Sequence, residues 1–258
     1  MRGVGLTAED KRALEETGYL LVPGLISPER VRAALSAINA SLGERGLPPE
    51  GLPRLRAHTF CPELVADPTI LGLYGATPLA ALAEQALGSG QVRAPGDAQI
   101  ALRFPTPGAA RSDGRPHIDG LPRPHNGVPA GTIYHFTALA AVFLSDADAP
   151  FAGNFTVWPG SHRALAAHFA AAGAAAALAQ PDAAFPPLSL AVPLPPARQL
   201  TVRAGDALLA HYLLVHGAAP NLSPHIRYAV FFRLFHQSHD ATSTEGLTDL
   251  WREWEGLR

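Results

Sequence analysis

With 258 residues, 47% of them hydrophobic and 16% charged, the chain can build a substantial core, which argues against whole-chain disorder and suggests one large domain or two small ones. Twenty Lys and Arg against 22 Asp and Glu give a formal charge of −2, without the basic excess that nucleic-acid binding uses. Cys61 is the only cysteine. An internal disulfide, a cysteine-based zinc site and an iron–sulfur cluster are therefore excluded, and any bound metal must rest on His and carboxylate.

The opening MRGVGLTAEDKRALEE lacks the continuous apolar core of a signal peptide. The longest apolar stretch, 164–179, is alanine-rich and broken by His168 and Gly173, well short of the roughly 20 strongly apolar residues of a membrane span. A soluble, cytoplasmic protein with neither membrane nor nucleic-acid partner is expected.

In chain order, Thr7 ahead of Glu9 and Asp10 predicts an N-capped helix that Gly18 closes. A short strand over 19–22 stops at Pro23-Gly24. Ser27-Pro28-Glu29 starts a second helix by N-cap and N1 proline, with Val31, Leu35 and Ile38 on one face, and Thr77-Pro78 repeats the device ahead of 79–87. From about Gln91 the pattern changes to short apolar runs, 98–104, 136–144, 155–158, 200–202, 207–215 and 228–235, separated by Gly, Pro, Asn and Asp. Such punctuation predicts an antiparallel sandwich or barrel, not βαβ units. An alanine-rich insert over 163–180 is predicted helical, as is a C-terminal segment over 247–251. No repeat or Gly/Ser-rich linker interrupts the chain. The expectation is a mainly β domain over 1–258: a mostly helical part (1–90), a β core (91–236) and a C-terminal helix or tail (237–258).

The chemistry concentrates in a few residues. In an extended segment His117 and Asp119 project to one face with Ile118 turned away, which is the geometry of two cis ligands on one metal. With 11 His and 11 Asp in the chain, roughly half an H-x-D is expected by chance, so the context must decide. It is supplied by the apolar run 207–215, which ends in His216-Gly217, a candidate third ligand from a neighbouring strand. Two histidines and one carboxylate leave three octahedral positions open, as in the facial triad of non-heme Fe(II) oxygenases. Arg227, eleven residues beyond His216, suits bidentate capture of a carboxylate.

His117-x-Asp119, the turn Trp158-Pro159-Gly160-Ser161-His162, and His216-Gly217 through Pro220-Asn221 to Arg227 together resemble the phytanoyl-CoA dioxygenase family of Fe(II)- and 2-oxoglutarate-dependent oxygenases. Gly18-Tyr19-Leu20 with the helix after Ser27 is similar to that family's N-terminal region. The resemblance implies a double-stranded β-helix, a jelly-roll barrel with helices packed outside. It also implies iron on His117, Asp119 and His216, and Arg227 on the distal carboxylate of 2-oxoglutarate. By position it implies two further cosubstrate contacts, Gln99 before the H-x-D and His135 after it. Ala218 departs from the pattern, since many members carry a hydroxyl there. The activity implied is oxidation of a small molecule by O₂, hydroxylation by default because Asp119 fills the position that related halogenases leave for chloride, with release of succinate and CO₂.

Other residues have plainer readings. His211 lies five before His216, an odd offset that turns it away from the metal in an unbroken strand. A structural hydrogen bond is the simpler role for His162, and Trp158 reads as core packing or a pocket wall. Arg111, Arg115, Arg123 and His125 flank the H-x-D as a possible cationic mouth or as solvated loop charges, and Cys61 reads as a buried small hydrophobe. Two alternatives remain at this stage: a cupin-type dioxygenase that does without 2-oxoglutarate, and a catalytically silent jelly-roll metal- or ligand-binding protein.

Overall fold

A computed structural model describes residues 5–47, 59–121, 127–129, 131–178 and 192–258. Helix α1 (Ala8–Thr17) opens with a reciprocal Thr7–Asp10 capping box and ends at Gly18, whose φ of 84° is the left-handed conformation that glycine adopts without strain. Strand β1 (Tyr19–Val22) follows, then α2 (Pro28–Arg45), capped by Ser27 and burying Val31, Ala34, Ile38 and Ser41. Asp67-Pro68 and Thr77-Pro78 start α3 (Pro68–Gly75) and α4 (Pro78–Leu87) in the same way. These helices pack on the outer face of a sheet. Their apolar side chains share one buried cluster with Ile100, Leu102, Val142, Leu209, Val230, Phe232 and Leu234.

That sheet has five antiparallel strands in the order β1-β6-β3-β8-β2, where β2 is Gln99–Arg103, β3 Ala138–Phe143, β6 Ala207–His211 and β8 Arg227–Leu234. A second sheet, β5-β4-β7, holds only Arg198–Gln199, Phe155–Val157 and His216–Ala218. The period-two alternation of a strand assigns the two faces of β8. Val230, Phe232 and Leu234 join the helix side. Ala229 and Phe231 join the cluster between the sheets, where Phe231 meets Phe155 with ring centroids 5.4 Å apart. Arg227 and Arg233 stand on this inner face.

The expected barrel is not closed among the described residues. The small sheet's strands are two or three residues long, and isolated bridges, His117 with His216 and Ala147 with Val202 among them, extend the ladders in place of continuous strands. The run 207–215 is not one strand either. It leaves the large sheet at His211, turns through Tyr212 and Leu213, and enters the small sheet at His216. The turn is closed by Leu214 N–H on the His211 carbonyl and by Leu213 N–H on His211 Nδ1. His211 and His216 thus belong to different sheets, and the parity argument between them lapses. The pairing expected at 200–202 begins two residues earlier, at β5, and continues through Leu200 N–H on the Phe155 carbonyl and the bridge of Val202 with Ala147.

The predicted insert forms two helices, Ser161–Ala172 (α5) and Ala174–Leu178 (α6), parted at Gly173, and its last two residues lie outside the described set. The C-terminal segment is not a helix. It is a series of turns with 3-10 turns at Glu245–Leu247 and Glu255–Leu257, since Gly246, Thr248 and Asp249 favour turns and the anchoring comes from the burial of Leu247 and Trp254. Among the described residues no helix is long and apolar enough to cross a membrane.

The turn at 158–162 acts as a clamp. Gly160 N–H bonds the Thr17 carbonyl, His162 Nε2 donates to the Glu15 carbonyl at 3.2 Å, and Ser161 Oγ accepts Val215 N–H at 2.9 Å. A Cβ at Gly18 would lie 2.6 Å from His162 Nδ1, so glycine is needed there for contact as well as for φ. Burial pushes His162 down to about 4, and burial together with neighbouring His162 pushes His211 down to about 3. Both rings are neutral in the folded protein, while the unfolded chain binds their protons below about pH 6.5. Their contribution is therefore complete above pH 6.5 and is lost as the pH falls toward 4. Each is expected to remove roughly 2 kcal/mol of stability at pH 5 relative to pH 8. Thermal unfolding across that range, followed by tryptophan fluorescence, to which Trp254 stacked on His211 contributes, should show the drop, and His211→Phe should remove about half of it.

Candidate metal centre

The site begins with a backbone contact. His117 and His216 form a reciprocal bridge, each N–H donating to the other's carbonyl at 2.9 Å, which sets their Cα atoms directly opposite and their rings 4.6 Å apart. A Cβ at Gly217 would lie 2.8 Å from the Arg115 carbonyl oxygen, so the glycine after His216 is what lets the two segments approach.

Both rings are held the same way. His117 Nδ1 donates to the Arg115 carbonyl and His216 Nδ1 to the Leu214 carbonyl, each at 3.0 Å. A carbonyl only accepts, so Nδ1 carries the proton and each Nε2 presents a lone pair, as a metal ligand needs. Phe155 stacks on His216 at 5.3 Å. Between the rings stands Asp119, with Oδ1 at 3.7 Å from His117 Nε2 and 3.8 Å from His216 Nε2. One donor atom from each of the three residues falls within 4.8 Å of the others, the spacing of ligands around a single ion.

Asp119 is fixed from several directions. Its carbonyl accepts the Tyr212 hydroxyl at 3.1 Å, and Oδ2 takes Arg233 Nη2 at 2.7 Å. The following Gly120 has φ of 76°, and a Cβ there would collide with the Tyr134 carbonyl. Burial alone would raise the carboxyl's pKa, but the Arg233 guanidinium outweighs it and holds Asp119 well below the usual carboxylate range. It is an anion at any physiological pH.

The three donors open on a cavity of about 180 Å³ whose walls include Gln99, Leu139, Phe155, Ala218, Phe231 and Arg227. Arg227 is buried, with Nε on the Gly153 carbonyl at 2.9 Å and Nη1 on the Ala101 carbonyl at 3.2 Å. Among the described residues no carboxylate pairs with it. Burial, and then repulsion from Arg103 across the strand pair, lowers its pKa to about 9, which leaves it a cation at neutral pH. Two of its five donors are used. A buried guanidinium with donors to spare is a receptor for an anion.

Of the residues singled out from sequence, His117, Asp119, His216, Gln99 and Arg227 meet at this cavity and His135 does not. His135 turns toward the C-terminal segment, donating Nε2 to the Ser243 carbonyl at 2.6 Å, and lines a different, small recess with Tyr212 and His239. Burial lowers its pKa, as suits a ring packed for structure. His211 donates to the Leu250 carbonyl behind the site. Arg115 lends its carbonyl to His117, Arg111 lies over the Phe151 ring, and Arg123 and His125 lie outside the described residues. Cys61 is buried, as expected. Sequence reasoning missed Arg233, which shares β8 with Arg227 at an even offset of six. The alternation of a strand could have found it.

Residues 14–229 match the family model described as phytanoyl-CoA dioxygenase (PhyH). The chain belongs to the phytanoyl-CoA dioxygenase family. No curated protein sequence matches it significantly. Among solved structures, SnoK, a non-heme alpha-ketoglutarate-dependent carbocyclase from nogalamycin biosynthesis, aligns with a TM-score of 0.61 at 21% identity, over 90% of this chain and 85% of its own. HygX from Streptomyces hygroscopicus, with nickel and 2-oxoglutarate bound, aligns with a TM-score of 0.57 at 22% identity, over 92% and 90%. The epimerase SnoN, also from nogalamycin biosynthesis, gives 0.57 at 23% identity, over 88% and 79%. At these identities the likeness is one of fold. In this family member the H-x-D, the His-Gly and the arginine eleven residues on all fall inside the matched segment.

A methyl group at Gly217 should force the bridge apart. Gly217→Ala is expected to weaken Co(II) binding by on the order of tenfold or more, and His117→Ala, Asp119→Ala and His216→Ala to abolish it at concentrations that saturate the wild type. Titration of apo-protein followed by visible absorption measures both.

Proposed function

We propose that the protein is a non-heme Fe(II)- and 2-oxoglutarate-dependent oxygenase that hydroxylates a small molecule, built as a single domain over its whole length. The observation that carries the reading is the pairing of three converging donors in one cavity with a buried Arg227 that meets no carboxylate among the described residues. The donor set fits the metal. Two neutral imidazoles and one carboxylate leave half of an octahedron open, the requirement of an iron that must accept a chelating cosubstrate and O₂, whereas structural zinc is closed by four protein ligands.

In this reading His117, Asp119 and His216 hold the iron, and Arg227 receives the far carboxylate of 2-oxoglutarate. Gln99, whose Oε1 accepts from Arg233 at 3.1 Å, has its amide NH₂ left for an acceptor in the cavity. When bound, iron and 2-oxoglutarate supply the oxidation: O₂ is consumed, 2-oxoglutarate yields succinate and CO₂, and one oxygen atom passes to the substrate. The chain contributes orientation and a dry wall, with Leu139, Phe155 and Phe231 keeping water from the reacting centre. Ala218 brings no hydroxyl, so the cosubstrate rests more heavily on Arg227 and Gln99.

HygX has been solved with hygromycin B as well as nickel and 2-oxoglutarate, which supports a small metabolite as substrate. A second, apolar cavity lies between Val128, Pro129, Ile133 and Tyr134 of the loop after the H-x-D and Ala175 and Leu178 of the insert. Tyr134 N–H bonds the carbonyl of Gly120, the residue after Asp119. The apolar part of a substrate fits that position, on loops carried by a rigid β scaffold.

Anaerobic titration of the Fe(II) protein with 2-oxoglutarate should develop the weak visible charge-transfer band of the chelate. Loss of a charge-assisted contact is worth about 1.5–3 kcal/mol, so Arg227→Ala should need roughly ten- to a hundredfold more 2-oxoglutarate for the same band. Iron binding without a band at any 2-oxoglutarate concentration would favour a dioxygenase that does without the cosubstrate. Absence of iron binding would reduce the protein to a binding module.

A further inference from the structure

Arg233 is a charged group of the site for which metal ligation and cosubstrate capture have no use, yet it makes the shortest polar contact to Asp119. Its Nη2 lies 2.7 Å from Asp119 Oδ2 and 3.1 Å from Gln99 Oε1. The guanidinium lies over the Phe136 ring, 5.7 Å from its centroid, and its backbone is paired with Leu139 of β3. The carboxylate is therefore divided: Oδ2 belongs to Arg233, and Oδ1 faces the two imidazole nitrogens. We propose that Arg233 is a positioning residue that confines Asp119 to a single ligand oxygen and thereby keeps three metal positions open.

The argument is one of counting. An octahedral metal held by two imidazoles and one oxygen has three free positions, two for a chelating cosubstrate and one for a further ligand. A carboxylate free to swing gives both oxygens and leaves two, which the chelator and the further ligand then contest. The backbone of Asp119, pinned by Tyr212 and by the tight Gly120, does not fix the torsion of the carboxylate itself. Arg233 does, and because it can only donate, it also fixes which end of the Gln99 amide faces it. The role rests on the oxygenase reading for its purpose, but not for its test.

That test uses Co(II)-loaded protein, with Arg233→Met, which removes every donor at similar length, and Arg233→Lys, which keeps the charge and one donor. In Arg233→Met the Co(II) spectrum without cosubstrate should change as Asp119 adds its second oxygen. Co(II) affinity should hold or tighten, because a cation has left the site, while 2-oxoglutarate affinity, read from the Co(II) band, should fall about tenfold or more. Arg233→Lys should lie between. Damage to the fold would instead weaken metal and 2-oxoglutarate together and lower Tm. A Co(II) spectrum and both affinities equal to wild type in Arg233→Met overturn the proposal; if that variant does not fold, an unaltered Arg233→Lys does so. If the wild type binds Co(II) but no 2-oxoglutarate, the oxygenase reading fails and Arg233 is judged on the spectral change alone. If the wild type binds no Co(II), both fail.

Discussion

The site depends on one backbone contact, the reciprocal bridge between His117 and His216. Two short hydrogen bonds of 2.9 Å lock together segments nearly a hundred residues apart in the chain, and the locking is possible because Gly217 has no Cβ to strike the Arg115 carbonyl. Everything else about the donors follows from that registration. The rings stand side by side, both Nδ1 protons are taken by carbonyls two residues upstream, and Asp119, two residues beyond His117, arrives on the same side. A metal site assembled by backbone pairing carries little side-chain freedom into binding, so less ordering entropy opposes the metal.

The bridge in turn needs the chain to change sheets at the right place. The clamp at 158–162 provides for this: Trp158 N–H and Ser161 Oγ hold Val215, the residue before His216, by its carbonyl and its N–H, while Gly160 and His162 hold the end of α1. A turn that looks decorative in the sequence therefore ties the first helix, the crossover and the third donor into one unit. Strand β8 performs the complementary task on the opposite wall. Its inner face carries Arg227 and Arg233, one beside the far end of the cavity and one at Asp119, with Phe231 between them keeping the space apolar. Two guanidiniums on one strand face would repel each other at short range, and the offset of six residues lets Arg233 meet Asp119 while Arg227 bonds the Gly153 and Ala101 carbonyls.

Much of this was legible in the sequence, for identifiable reasons. Caps are local, so Thr7, Ser27-Pro28 and Thr77-Pro78 revealed their helices. The H-x-D, the His-Gly and the arginine eleven residues on are short-range patterns whose chemistry constrains residue type, and they brought His117, Asp119, His216 and Arg227 to one cavity. What failed was non-local. The crossover at Tyr212 and Leu213 is driven by pairing with two different sheets, which an apolar run from 207 to 215 does not disclose, and strand parity therefore says nothing about which way His211 faces. A five-residue pattern such as 247–251 cannot tell a helix from turns anchored by Leu247 and Trp254. His135 lies close in sequence to β3, but its hydrogen bonds to Ala241 and Ser243 take it to the other side of Tyr212.

The displaced histidines have a structural use that returns to the metal centre. His135 stacks near Tyr212 at 5.0 Å and meets His239 edge-on at 4.7 Å. His239 is paired with Glu253 at 2.7 Å, and burial, which would raise the Glu253 carboxyl, is outweighed by hydrogen bonds from His239 and Thr137 that lower it. This is a polar network under the C-terminal segment, and its satisfied groups stiffen one another in a low dielectric. Tyr212 is the member that touches both worlds, its ring in the histidine cluster and its hydroxyl on the Asp119 carbonyl. The tail therefore packs behind Tyr212, in a recess of its own, and through that residue's hydroxyl its turns brace the backbone of the carboxylate that Arg233 orients from the other end.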